Sequence, residues 1–352
     1  MNAQEYIDYL RTKLGGDIIY KKLFYPDAIS MIYSLEKTGL YSAEKIQELK
    51  DAHKGLTHGE ALNQLVSHIS DKILDQLSFM GYHLSESPKI GIIPTHDFNA
   101  LATKAPNGEN ICLIDDFLWG TVGCISRAVC EYVFEGKEQK EGNREIALNV
   151  LLGALIWFSG DFQKLAEELL SDYKKISTDP IRVFAASQLV LGLIVFIISH
   201  EFSHHALGHL GKPVKVKLIH HRYMISTRIY NRIQQDEFDA DMLAFRIFLN
   251  FSRKQMDDGS RELFSQGEIS PLLFFLFLEV YEKILAEKIG VNVIFCETHP
   301  PARDRRMKLL EKFNEIAHEN AKNIYPYVSK IFEKLMSIAS FVIKNLKVIP
   351  SI

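Results

Sequence analysis

An apolar run from Val183 to Ile198 passes without a break into His200-Glu201-Phe202-Ser203-His204. No other stretch narrows the possible folds as much. Pro180, just upstream, suits the first turn of a helix. The run contains Ser187 and Gln188 and stops short of the roughly 20 residues that cross a bilayer. It is therefore read as a buried central helix whose final turns carry ionisable side chains into the interior.

At 3.6 residues per turn, histidines four apart leave a helix from the same face, close enough for both imidazoles to bind one metal. Glu201 lies beside them, an offset that suits a residue taking a proton from metal-held water rather than a ligand. Catalytic zinc usually has three protein ligands and an open fourth position, so another His, Glu or Asp is expected on a nearby element. The best candidate is Glu237, in Glu237-Phe238-Asp239-Ala240-Asp241, 33 residues past His204 and opening the apolar helical stretch Met242 to Leu249. Glu237 and Asp241 share one helix face. Asp241 is suited to accept a hydrogen bond from the outer ring nitrogen of a ligand histidine, His200 above all, and so fix its tautomer. The plainer reading of these acids is a first turn favoured by the helix dipole. His205 and His209 complete the histidine cluster. His205 is rotated about 100° from His204 and His209 falls off the ligand face, so both are expected in the core or at the surface rather than on the metal.

Taken in order, His200-Glu-x-x-His204, Glu237-Phe-x-Ala-Asp241 and Thr298-His299-Pro300-Pro301 with Arg305 resemble the HtpX-like and CAAX-prenyl-type gluzincin metallopeptidases. Asn99-Ala100-Leu101-Ala102-Thr103, the turn Pro106-Asn107-Gly108 and Ile111 to Ile114 are similar to that family's hairpin before the metal helix. A strand, a turn dipeptide and a second strand predict a hairpin on their own. The resemblance adds that Asn99, Ala100 and Leu101 bind substrate, pairing an edge strand with extended peptide backbone. It also brings the His299 loop near the active site, where His299 either stabilises the oxyanion or occupies the open zinc position. Arg305 is expected to pair with Asp241 or Asp239, or with substrate, and Arg303 and Arg306 leave that choice open. The resemblance covers about residues 90 to 118 and 185 to 312. Roughly 80 residues between Ile114 and His200 have no counterpart in it, room enough for several extra helices.

Net charge of -3, from 41 basic and 44 acidic residues, gives no general argument for a nucleic-acid partner. Cys112, Cys124, Cys130 and Cys296 form no C-x-x-C pair and read as reduced thiols of a cytoplasmic protein. The start Met-Asn-Ala-Gln-Glu lacks a basic and then apolar leader. Membrane insertion is not expected, although association through an apolar patch is compatible with the composition.

Helical spacing in Ala43 to Ala52 and Ala61 to Ser78 marks 1–88 as a helical N-terminal region. A zincin-like core follows over 89–312, with a helical insertion at 119–182 that includes Arg144 to Phe158 and Asp161 to Lys174. Lys212 to Arg222 is basic and alternating, either a short strand or a loop over the cleft. C-terminal helices occupy 313–352, as a pair split near Tyr325-Pro326. The expected fold is mainly α (α+β), a helical metallopeptidase core with a small β-sheet or hairpin and additional helices.

The function expected is that of a zinc-dependent endopeptidase with one Zn2+ per chain, acting on a protein or peptide substrate through zinc-activated water. Glu201 and His299 are its catalytic residues, His200, His204 and Glu237 its ligands, and Asp241 and Arg305 their supports. Two other readings stand beside it. One is a Lit-like host-defence or phage-exclusion protease of narrow specificity, since long helical additions could restrict the cleft. The other is a zinc-binding regulatory protein with no turnover.

Overall fold

Residues 1–14, 36, 42–55, 58–93, 100–133, 142–158, 163–210, 213–220, 223–230, 234–254, 265–289 and 300–346 are described by the computed structural model. Asn99, Cys296 and Thr298 to His299 lie outside them. Most of the described chain is helical: α1 (Ala3–Lys13), α2 (Ala43–His53), α3 (His58–Phe79), α4 (Asp116–Val133), α5 (Gly142–Phe158), α6 (Gln163–Leu170), α7 (Pro180–Ala206), α8 (Gln234–Lys254), α9 (Ser270–Ile289), α10 (Ala302–Ile316) and α11 (Glu319–Leu346). The mainly helical expectation with a small sheet is met.

The helix α7 starts where the sequence marks it. Asp179 accepts a hydrogen bond from the Arg182 N–H and Pro180 occupies the first turn, so two of the unmet donors at the helix start are accounted for. From Leu193 to His205 every residue is buried. A helix enclosed on all sides cannot lie at the surface, and α4, α8 and α9 pack around it. Length and composition alone would let α7 cross a membrane, and 67% of its most apolar window is buried inside the structure.

Three strands set the hairpin against this helix. β1 (Lys89–Ile93) pairs in parallel with β3 (Asn110–Asp115), and β2 (Ala100–Lys104) pairs antiparallel with β3, giving the order β1-β3-β2. The β2–β3 hairpin is as expected, turning through Asn107 and Gly108 with φ +97° at the glycine. The parallel partner β1 is an addition to that expectation. Its sequence Lys-Ile-Gly-Ile-Ile is short and apolar, which spacing alone cannot assign to strand or helix. One face of the sheet is covered by α1, whose Ala3, Ile7 and Leu10 pack on Ile93, Ile111 and Leu113. The approach is close enough that a Cβ on Gly91 would come within 2.7 Å of Ile7.

Of the two readings of Lys212 to Arg222, the strand is observed. β4 (Pro213–His220) pairs antiparallel with β5 (Tyr223–Tyr230). Over Asp161 to Lys174 the expected helix is shorter, α6 followed by a 3-10 turn at Ser171–Lys175. The expected split at Pro326 is corrected, because α11 continues through it. A proline inside a helix costs about 3 kcal/mol. Against it stands a continuous buried stripe of Ala321, Val328, Ile331, Phe332, Leu335 and Ala339, each large member contributing about 1.5–3 kcal/mol. Packing outweighs the missing hydrogen bond.

Within α7, Gly192 marks the closest approach of the turn before α9. A Cβ there would lie 2.9 Å from the Ser270 Cβ and 3.1 Å from the Gly267 carbonyl oxygen. Gly192→Ala is expected to lower stability by about 1–3 kcal/mol, and to cost less in a Ser270→Gly background. Denaturant unfolding of the four proteins in that cycle checks this, and an equal cost in both backgrounds would locate the clash elsewhere.

Candidate metal centre

Two helices bring the ionisable residues together. His200 and His204 leave α7 one turn apart, and the first turns of α8 present Glu237 and Asp241 in the same i, i+4 relation. Acidic residues at that helix start gain from its dipole as well, so the plainer reading of Glu237 holds beside the functional one. All four side chains are buried, His204 completely.

Their donor atoms converge. The Nε2 atoms of His200 and His204 are 3.0 Å apart, and each lies 3.4 Å from a Glu237 carboxylate oxygen. Two ligands each about 2.05 Å from one zinc, at a tetrahedral angle, would be separated by about 3.3 Å. The three observed separations bracket that value. Among the described residues this trio is the group of His, Cys, Asp and Glu able to hold a metal ion, with all donor atoms within 4.8 Å of one another. The residues fit one Zn2+ per chain.

Formal charge points the same way. Glu201, Glu237 and Asp241 against Arg305 leave this buried set at minus two, which a divalent cation cancels. Burial draws the His200 imidazole down, but hydrogen bonds that its ring donates to Asp241 and Glu237, and their charges, outweigh it and raise the group to about 9.

Asp241 meets His200 at the atom expected of it, with its Oδ1 3.0 Å from Nδ1. Arg305, on α10, resolves the open choice among its partners. Its Nε and Nη2 donate to the two Asp241 oxygens at 2.7 and 2.6 Å, and Nη1 lies 3.3 Å from Glu237 Oε2. Its guanidinium stacks over Phe275 at 4.8 Å. Burial works against the Arg305 charge, and Asp241 and Glu237 more than restore it. Arg306 turns away to Glu279 and the Tyr325 hydroxyl. The helix carrying Arg305 is held at its start by Glu282, which accepts from the Ala302 N–H at 3.0 Å.

Glu201 lies beside the trio, with Oε1 4.0 Å from His200 Nε2. Its Oε2 accepts a hydrogen bond of 2.5 Å from the Ala102 N–H. This contact follows from the ladder. Ala105 and Glu109 are a hydrogen-bonded pair, so bonding alternates through Thr103 and Leu101, and the N–H groups of Ala100, Ala102 and Lys104 face away from β3. Sequence reasoning missed Ala102 because a backbone donor has no residue-type signature. Of the two places expected for His205, core or surface, it takes the core, where its Nε2 lies 3.0 Å from the Ile111 carbonyl oxygen of β3. Ala100 and Leu101 lie on β2, half-buried. Asn99 and His299 fall outside the described residues, so nothing is added to either.

Over residues 167–325 the chain matches the family model of Peptidase U49, a Lit-like peptidase family. The matched segment holds every ligand candidate together with Glu201, Asp241 and Arg305. Searches of curated proteins and of solved structures find no match. Of the two resemblances drawn from sequence, the Lit-like one is favoured. The buried His-His-Glu cluster is typical of gluzincin metallopeptidases, and with Glu201 beside it the arrangement is consistent with the active site of a zinc-dependent endopeptidase.

Asp241→Asn retains an oxygen but loses the charge that orients His200 and neutralises Arg305. Zinc affinity is expected to fall roughly 10–100-fold, measured by competition with a chromogenic chelator. Glu237→Ala should lose more, since a ligand is gone.

Proposed function

We propose that this chain is a zinc-dependent endopeptidase with a narrow protein target, a Lit-like protease of the host-defence kind. The observation that carries the reading is the convergence of His200, His204 and Glu237 with Glu201 beside them. When bound, zinc supplies Lewis-acid polarisation of a carbonyl and lowers the pKa of water.

The remaining chemistry belongs to the chain's own groups. Glu201, anchored through Oε2 by the Ala102 N–H, takes the proton from the attacking water and returns it to the departing amine. Asp241 holds the His200 ring with its proton on Nδ1, leaving Nε2 as the lone-pair donor. Arg305 ties Asp241 and Glu237 into one rigid group. His299 is assigned to oxyanion stabilisation or to the open position, and Asn99, Ala100 and Leu101 to the substrate backbone. These four rest on the resemblance and on the position of β2 beside Glu201.

Restriction to a narrow target is supported by the Peptidase U49 match and by the helices that lie before the matched segment. A cytoplasmic setting, with α7 as a core helix rather than a span, is supported by its burial among α4, α8 and α9.

Glu201→Gln should keep one zinc per chain and lose cleavage by at least two orders of magnitude. Mapping new protein N-termini in cells that express either form, with zinc measured on both purified proteins, tests this. New termini at equal levels in both would remove Glu201 from the mechanism. An absence of new termini in either, with zinc bound and metal removal unfolding the chain, would favour the regulatory alternative.

A further inference from the structure

We propose that His209 is a positioning residue for the metal ligand His204, accepting the hydrogen bond of its outer nitrogen while the far nitrogen of its own ring faces the Asp236 carboxylate. The inference rests on the metal-site reading above and concerns a residue outside the zincin motif.

The cause is the way α7 ends. Gly208 adopts φ +70°, the His209 N–H bonds to the His204 carbonyl at 2.9 Å, and the Gly208 N–H bonds to the His205 carbonyl at 3.3 Å. This is the Schellman arrangement, in which a left-handed glycine folds the chain back over the last helical turn. Projected along a continuing helix, His209 leaves the ligand face. Reversed by Gly208, it returns to it. The His209 Nδ1 comes 3.3 Å from His204 Nδ1, with ring centroids 5.4 Å apart. On the far side, His209 Nε2 lies 3.8 Å from Asp236 Oδ1.

Tautomers make this a chain with one direction. Binding metal through Nε2 requires the His204 proton on Nδ1, so that nitrogen donates. His209 Nδ1 must then accept, which puts its own proton on Nε2, towards Asp236. His200 and His204 thus each have a support, the first from Asp241 and the second from the His209 imidazole, whose far nitrogen faces the Asp236 carboxylate. Asp236 and Glu237 are consecutive on α8, so one helical turn supplies both a ligand and the far end of a ligand's support.

Zinc affinity by chelator competition, on the full chain, tests the proposal with His209→Phe, which keeps a ring but has no acceptor, and His209→Gln, whose amide oxygen can take the His204 proton. His209→Phe should bind zinc roughly 10–100-fold more weakly, and His209→Gln should recover most of the loss. The visible spectrum of the cobalt-substituted His209→Phe protein should also shift, while thermal unfolding of the metal-free form stays as in the wild type. Zinc binding within twofold of wild type in His209→Phe, or an equal loss in both variants, overturns the role. Glu237→Ala run in parallel separates the two readings: if it binds zinc as well as wild type, the metal-site assignment itself fails, whatever His209 does.

Discussion

Burying charge without water is tolerable only where each charge finds a counter-charge and each polar atom a partner. At the centre of this protein that condition is met in part, by sharing. Asp241 serves both Arg305 and His200, Glu237 faces Arg305 and both histidine nitrogens, and Glu201 leans on the backbone of β2. The remaining imbalance is two negative charges facing three converging donor atoms. A cation held by the converging donors would offset that charge.

The arrangement also explains why three helices far apart in sequence must dock together. α7 brings the histidines, α8 the acids and α10 the arginine. Removing one partner from such a set leaves an uncompensated buried charge, and breaking a pair of that kind is typically worth 3–5 kcal/mol. Docking of α10 is thus coupled to the integrity of the ligand cluster although α10 supplies no ligand.

Much of this was legible in the amino-acid order because the chemistry demands particular side chains at particular spacings. His200, Glu201 and His204 are marked by i, i+4 geometry after an apolar run, and Glu237 and Asp241 by the same spacing at the head of the next apolar helix. The hairpin is marked by its turn dipeptide. What stayed hidden has physical reasons too. β1 is too short for its periodicity to speak. Continuity of α11 through Pro326 depends on a stripe that only packing reveals. Ala102 acts through its backbone, which every residue has. That His209 comes back beside His204 was hidden because a helical projection assumes that the helix goes on, and the signal against that was Gly208, the residue best able to reverse the chain.

The hydrogen bond from Ala102 to Glu201 has a cost for the strand that makes it. β2 is an edge, and its outward groups at Ala100, Ala102 and Lys104 are the ones an additional strand would need. The Ala102 N–H has one proton, and it is committed to Glu201, so a further strand paired along the full length of β2 would have to displace that carboxylate.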